Sequence, residues 1–167
     1  MRPLKAMTKP STVRVLGIDP GFDRLGLAVI EGSAARPIHI WSECVTSPKG
    51  NHETRIAAVY AAVRTAIETY TPTHAALETL FFSKNVKTAL AVAEARGAIL
   101  AALGGAKLPI SEISPGGVKI AVTGYGNADK TAIMHMLPKL LTLPPKKRLD
   151  DEFDALSVAI AGLASIR

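Results

Sequence analysis

The residue pattern predicts the α/β class, a mixed five-stranded sheet flanked by helices. Three observations carry this. Three short runs rich in β-branched and apolar residues follow one another between Val13 and Thr46 with brief connections, which favours antiparallel pairing. From Asn51 the apolar spacing changes to steps of three and four residues, the signature of a helix face. Beyond it, two more short apolar runs alternate with helical stretches, so strands and helices interleave.

VRVLGID (13–19) ends in Asp-Pro-Gly, a strand running into a tight turn. LGLAVIE and PIHIWSECVT are the second and third strands. Ile56, Val59, Tyr60, Val63, Ile67 and Tyr70 line one face of a helix that stops before Pro72. HAALE (74–78) is a brief buried strand with Glu78 at its end. VKTALAVAEARGAILAAL (86–103) is a long helix, apolar almost all round apart from Lys87, Glu94 and Arg96. Such a helix needs cover on both sides, the core on one and a partner subunit on the other. LPISEIS (108–114) is the fifth strand, and Pro115 opens a helix reaching about Val122. GYGNAD (124–129) is a glycine-rich loop in which Asp129 caps the helix KTAIMHMLPKLL, where Pro138 should bring a kink or an early end. TLPPKKR (142–148) connects to a last helix beginning at Asp150 or Asp151. Three strands, helix, strand, helix, strand, then helices is the order of a ribonuclease-H-like fold.

The 167 residues suffice for one three-layer core without disulfides, and residues 13–167 read as one domain behind a flexible basic arm, 1–12. Twenty Lys and Arg against fourteen Asp and Glu leave a formal charge of +6, which favours a polyanionic partner such as nucleic acid. The single cysteine, Cys44, excludes a disulfide framework and reads as a small buried hydrophobe. The four histidines lack paired zinc-ligand spacing. The start has no apolar signal region, and no run approaches the roughly 20 apolar residues of a membrane span. A cytoplasmic protein is expected.

Four carboxylates stand at the ends of elements: Asp19 in GIDPG, Glu78 in LETLFFSKN, and Asp151 and Asp154 in DDEFDAL. Each has an ordinary explanation or nearly so. Asp is favoured at turns, and the aspartate pair could cap a helix and complement its dipole. Glu78 is the exception, because a glutamate suits a buried strand poorly and is costly there unpaired. In combination, in a basic protein, the four point to divalent cations beside a polyanion, and so to a nuclease.

GIDPGFDRLGLAVIE, LETLFFSKNVKTALAVAEARGAI, VKIAVTGYGNADK and DEFDALSVAI together resemble the RuvC-type Holliday-junction resolvases, in order and spacing from about residue 13 to 163. The resemblance implies a homodimeric, magnesium-dependent endonuclease of ribonuclease-H-like fold, acting in recombination and repair. It would nick two opposed strands of a four-way DNA junction and leave 5′-phosphate and 3′-hydroxyl ends. Asp19, Glu78, Asp151 and Asp154 match the family's catalytic and metal-holding positions. Asp150 and Asp154 also share a helix face, but the DxxDAL register selects Asp151 and leaves Asp150 as the cap.

Phosphodiester hydrolysis needs an activated water and stabilisation of charge on the departing oxygen, which two Mg²⁺ ions about 4 Å apart can supply. Mn²⁺ is a possible substitute. Asp19 is expected to bridge the cations, with Glu78 on one and the aspartate pair on the other. Lys119 and Lys130 match basic positions facing DNA phosphate, and Phe81 a position resembling an aromatic wedge against bases at the crossover. Lys84, Lys87, Arg14 and the 146–148 cluster are further candidates for backbone contact. Branch-migration helicases are partners by the resemblance alone. Two competing readings are a non-catalytic junction-binding module and a ribonuclease-H-like nuclease of different substrate.

Overall fold

A computed structural model describes residues 12–80 and 86–166, without the side chains of Val86 and Lys87. Phe81, Phe82 and Lys84 fall outside the described residues. In chain order the elements are β1 (Val13–Asp19), β2 (Arg24–Ser33), β3 (Arg36–Thr46), α1 (His52–Tyr70), β4 (His74–Glu78), α2 (Val86–Gly105), β5 (Ile110–Ile113), α3 (Pro115–Thr123), α4 (Lys130–Leu140) and α5 (Asp150–Ser165). The strands lie in the order β3-β2-β1-β4-β5. β1, β2 and β3 pair antiparallel as their short links require, while β4 and β5 join parallel through helical crossovers. The sheet is the mixed, ribonuclease-H-like one that the element order implies.

Helix boundaries follow local chemistry. The Asn51, Ser114 and Asp129 side chains accept from backbone N–H groups in the first turns of α1, α3 and α4. α1 closes on Thr71 in the left-handed region, one residue before Pro72. α4 continues through Pro138 and stops two residues later, at Leu140. Pro138 lies near its end, where one missing backbone donor disturbs least.

Alternation along the strands divides the core in two. Leu16, Ile18, Leu27, Val29, Ala75 and Leu77 pack towards α1 and α2. Val15, Ala28, Ile30 and Ala76 face α5 with α3 and α4 beyond. The parity that buries Val15 also turns Gly17 and Asp19 to the α5 side, and that of Ala76 turns Glu78 there. α5 lies unusually close to the strands at two glycines. A Cβ on Gly17 would come within 2.5 Å of the Ala155 carbonyl and Ala159, and one on Gly26 would run into the Asp151 carbonyl. Gly26→Ala should therefore push the first turn of α5 off the sheet. A loss of about 1–3 kcal/mol, the overpacking range, is expected in chemical denaturation. An unshifted midpoint would contradict this packing.

Two expectations change. Tyr60 is 37% exposed rather than buried, because Val59, Val63 and Ala66 form the inner stripe of α1. The stretch Thr88–Gly105 has mean hydropathy 1.3, long and apolar enough by itself to cross a membrane, contrary to the expectation that no run approaches such a span. Here Ala95, Ile99, Ala102 and Leu103 pack into the sheet core, and Arg96 is engaged in an ion pair. Its other side is largely uncovered, with 22% of the stretch buried and Leu90 67% exposed.

Candidate active site

Asp19 and Glu78 end the two parallel central strands, whose register pairs Ile18 with Leu77. They therefore stand side by side at the carboxyl edge of the sheet, on the face α5 covers. The first turn of α5 crosses this edge because Gly26 lets the Asp151 backbone rest on β2. Asp151 and Asp154 are thereby brought to Asp19 from over a hundred residues away.

The electrostatics record how closely the four converge. Burial, then the charges of Asp154, Glu78 and Asp151, push the Asp19 carboxyl from 3.8 up to about 8. Burial and Asp154 raise Glu78. Burial raises Asp154 as well, with Asp151 and Asp150 adding to it against the opposing pull of Lys130. Such mutual repulsion in a half-buried place is relieved by a cation. Among the described residues no group of three or more His, Cys, Asp or Glu side chains is placed so that it could hold a metal ion as it stands. The donor set, all carboxylate oxygen, nevertheless fits a hard divalent ion that keeps waters and takes a few protein ligands.

Beside the carboxylates opens a cleft of about 270 Å³, lined in part by Glu78, Asp154, Lys119 and Lys130. Both lysines thus stand beside Glu78 and Asp154 at the acidic edge. Lys130 Nζ lies 3.0 Å from Asp150 and 3.7 Å from Asp154. Asp151 turns the other way: its Oδ2 is 3.2 Å from Arg24 Nε, and Cys44 Sγ approaches it at 3.8 Å. Cys44 is accordingly not the buried hydrophobe expected but a half-buried thiol beside an acidic site. Burial and then Asp151 push its pKa to about 11, so it stays protonated and unreactive.

Asp150 is not the cap. Leu149 occupies that position without a side-chain hydrogen bond, and Asp150 is the first helical residue, free to pair with Lys130. Nor is the 146–148 cluster simply a surface for DNA. Lys146 and Arg148 turn inward to Glu152, at 2.9 and 3.0 Å, and Ser42 donates to the same carboxylate at 2.6 Å. Glu152 is 3% exposed and Ser42 2%, so this clamp fixes the start of α5 against β3 from the side opposite the cleft. Arg14 belongs to the far end of β1, where it bonds Glu31 and the Tyr70 carbonyl, away from the carboxylates. Arg96 of α2 donates to the Glu78 carbonyl at 3.0 Å and holds that strand end in place. Neither Glu152 nor Arg96 carried a sequence signal beyond being a charge in an apolar helix.

The family model for crossover junction endodeoxyribonuclease RuvC matches residues 15–162. The RuvC protein of Moorella thermoacetica is 44% identical over 147 residues, 87% of this chain and 88% of its own. That of Chloroflexus aurantiacus is 43% identical over 149 residues, 89% of this chain and 91% of its own. Among solved structures, Thermus thermophilus RuvC in complex with a Holliday junction substrate superposes with a TM-score of 0.83 at 32% identity, covering 89% of this chain and 92% of that one.

Proposed function

The chain belongs to the RuvC family of crossover junction endodeoxyribonucleases, and from that premise we propose that its acidic edge cuts a four-way DNA junction with divalent cations held by Asp19, Glu78, Asp151 and Asp154. It is an enzyme, a nuclease of recombination and repair. The observation that carries the assignment of residues is the convergence of β1, β4 and the first turn of α5, close enough for their carboxylates to perturb one another.

Bound divalent ions supply a more acidic water and a Lewis acid for the phosphate. Oxygen-only ligation favours Mg²⁺, two per site, with Mn²⁺ as substitute. Asp19 and Glu78 offer ligands from rigid strand ends, and the helix pair supplies the remainder. Lys119 and Lys130 draw the phosphate backbone into the cleft, and on this reading junction affinity falls steeply with salt. Phe81, three residues beyond Glu78, is assigned to stacking on an opened base. Hydrolysis by paired symmetric nicks leaves 5′-phosphate and 3′-hydroxyl ends.

Two symmetric cuts call for two copies related by a twofold axis. The uncovered side of α2, with Leu90 and the neighbouring groove of about 580 Å³ beside Tyr60, is apolar enough to serve as that contact. Residues 13–167 are read as one nuclease domain working in the cytoplasm, with a branch-migration helicase as a partner by family alone.

The test is a nicking assay on a labelled mobile four-way junction, comparing wild type with Glu78→Gln, with and without Mg²⁺. Wild type should nick only with Mg²⁺, and Glu78→Gln should not. Binding without nicking by wild type would make the protein a junction-binding module. Equal cutting of flaps or RNA–DNA hybrids would assign another substrate.

A further inference from the structure

Arg24 opens β2, opposite Thr46 of β3 in the ladder. By strand parity it faces α5 with Gly26 and Ala28. Its side chain is 49% exposed, and its one ion pair among the described residues is with Asp151. That contact, 3.2 Å from Nε, has no accompanying hydrogen bond, so the guanidinium is held by charge rather than by fitted geometry. Lys130 meanwhile occupies the other side of the turn, on Asp150 and Asp154. The acidic set is thus divided in the free protein, with Asp151 drawn to the β2–β3 wall.

We propose that Arg24 is an exchange cation: it neutralises Asp151 until DNA binds, then moves to a backbone phosphate and releases Asp151 to the metal site. The inference rests on the functional reading above. Three physical facts support it. A half-exposed ion pair is weak, so little opposes its exchange. Guanidinium presents a planar fork that matches phosphate oxygens and stays charged throughout. Its half-exposed side chain lies one ion pair away from the acidic edge, open to an incoming phosphate. Removing it to phosphate makes the metal site more negative at the moment substrate arrives. Metal and junction therefore strengthen each other's binding, and by linkage the effect is reciprocal.

The experiment uses the full chain as wild type, Arg24→Gln and Arg24→Lys. Mn²⁺ affinity is measured calorimetrically without DNA and with an uncleaved junction, and junction affinity is measured in EDTA. Arg24→Gln should bind Mn²⁺ alone more tightly by about 5-fold or more, the lower end of typical couplings. It should bind the junction in EDTA more weakly, and DNA should no longer improve its Mn²⁺ affinity. Arg24→Lys, which keeps the charge, should retain junction affinity and most of the coupling. Unchanged Mn²⁺ affinity in Arg24→Gln, with a wild type that nicks junctions normally, overturns the exchange alone. A wild type that neither binds Mn²⁺ nor nicks overturns the nuclease reading and this inference together.

Discussion

Asp19→Asn is expected to abolish nicking while making the metal-free protein more stable. Asp19 receives the charge of every other carboxylate of the site, and its loss should lower the nicking rate on the order of 10³- to 10⁴-fold, as when one member of a catalytic unit is removed. The stability gain follows from the raised carboxyl. Below pH 3.8, its unfolded value, both states hold the proton and nothing differs. Between 3.8 and about 8 the folded state keeps the proton that the unfolded chain releases, so stability falls as pH rises through this window. Above it the penalty is complete. Asparagine does not titrate, so its advantage should be largest at pH 8 and shrink towards pH 4. A gain of a few kcal/mol at pH 8 raises Tm by roughly 5–10 °C for a chain of this size. Mg²⁺ should stabilise wild type and leave the variant nearly unmoved. A variant less stable than wild type at pH 8 without metal would mean that the carboxylates do not repel as the structure indicates.

The second large effect lies on the opposite side of α5. Among the described residues Glu152→Ala removes the only anion paired with Arg148, whose side chain is 5% exposed and whose Nη2 is already buried without a hydrogen-bond partner. Leaving such a cation unpaired typically costs about 3–5 kcal/mol. Urea denaturation should show this, with Tm lowered by about 10 °C. Combining Glu152→Ala with Arg148→Met should recover much of the loss, since the penalty belongs to the stranded charge rather than to a missing attraction. A single variant less than about 1 kcal/mol from wild type would show that water reaches the clamp and that Glu152 does not hold the helix start. Because Glu152 lies between Asp151 and Asp154, the same substitution should raise the Mg²⁺ concentration needed for nicking.

These two residues mark how far the chain can be read without its fold. Glu78 was visible because a glutamate at the end of an apolar strand conflicts with the strand's own preference, and Asp19, ordinary at a turn by itself, stood out only in combination with the other carboxylates. Asn51, Ser114 and Asp129 obey capping rules reaching three residues along the chain, and the helices they begin were placed correctly. Asp150 obeyed the same rule on paper. Lys130, twenty residues earlier, is the better partner for its carboxylate, and Leu149 takes the cap position instead. Glu152 gave no sign of its burial: Arg148 stands only four residues before it, but Ser42, which helps bury it, is 110 positions away. Cys44 looked apolar for the same reason: nothing nearby in the chain announces Asp151.

The amino-acid order alone determined the elements, their sequence along the chain and the four acidic positions, because strand alternation, helix period and capping act over a few residues. Only the tertiary structure decided which distant charges meet: Arg24 with Asp151, Lys130 with Asp150, and, through Ser42 of β3, which carboxylate of α5 is buried. Those pairings depend on α5 settling against two glycines of the sheet, and electrostatic interactions take their strength from distance and burial, which exist only once the chain has closed on itself.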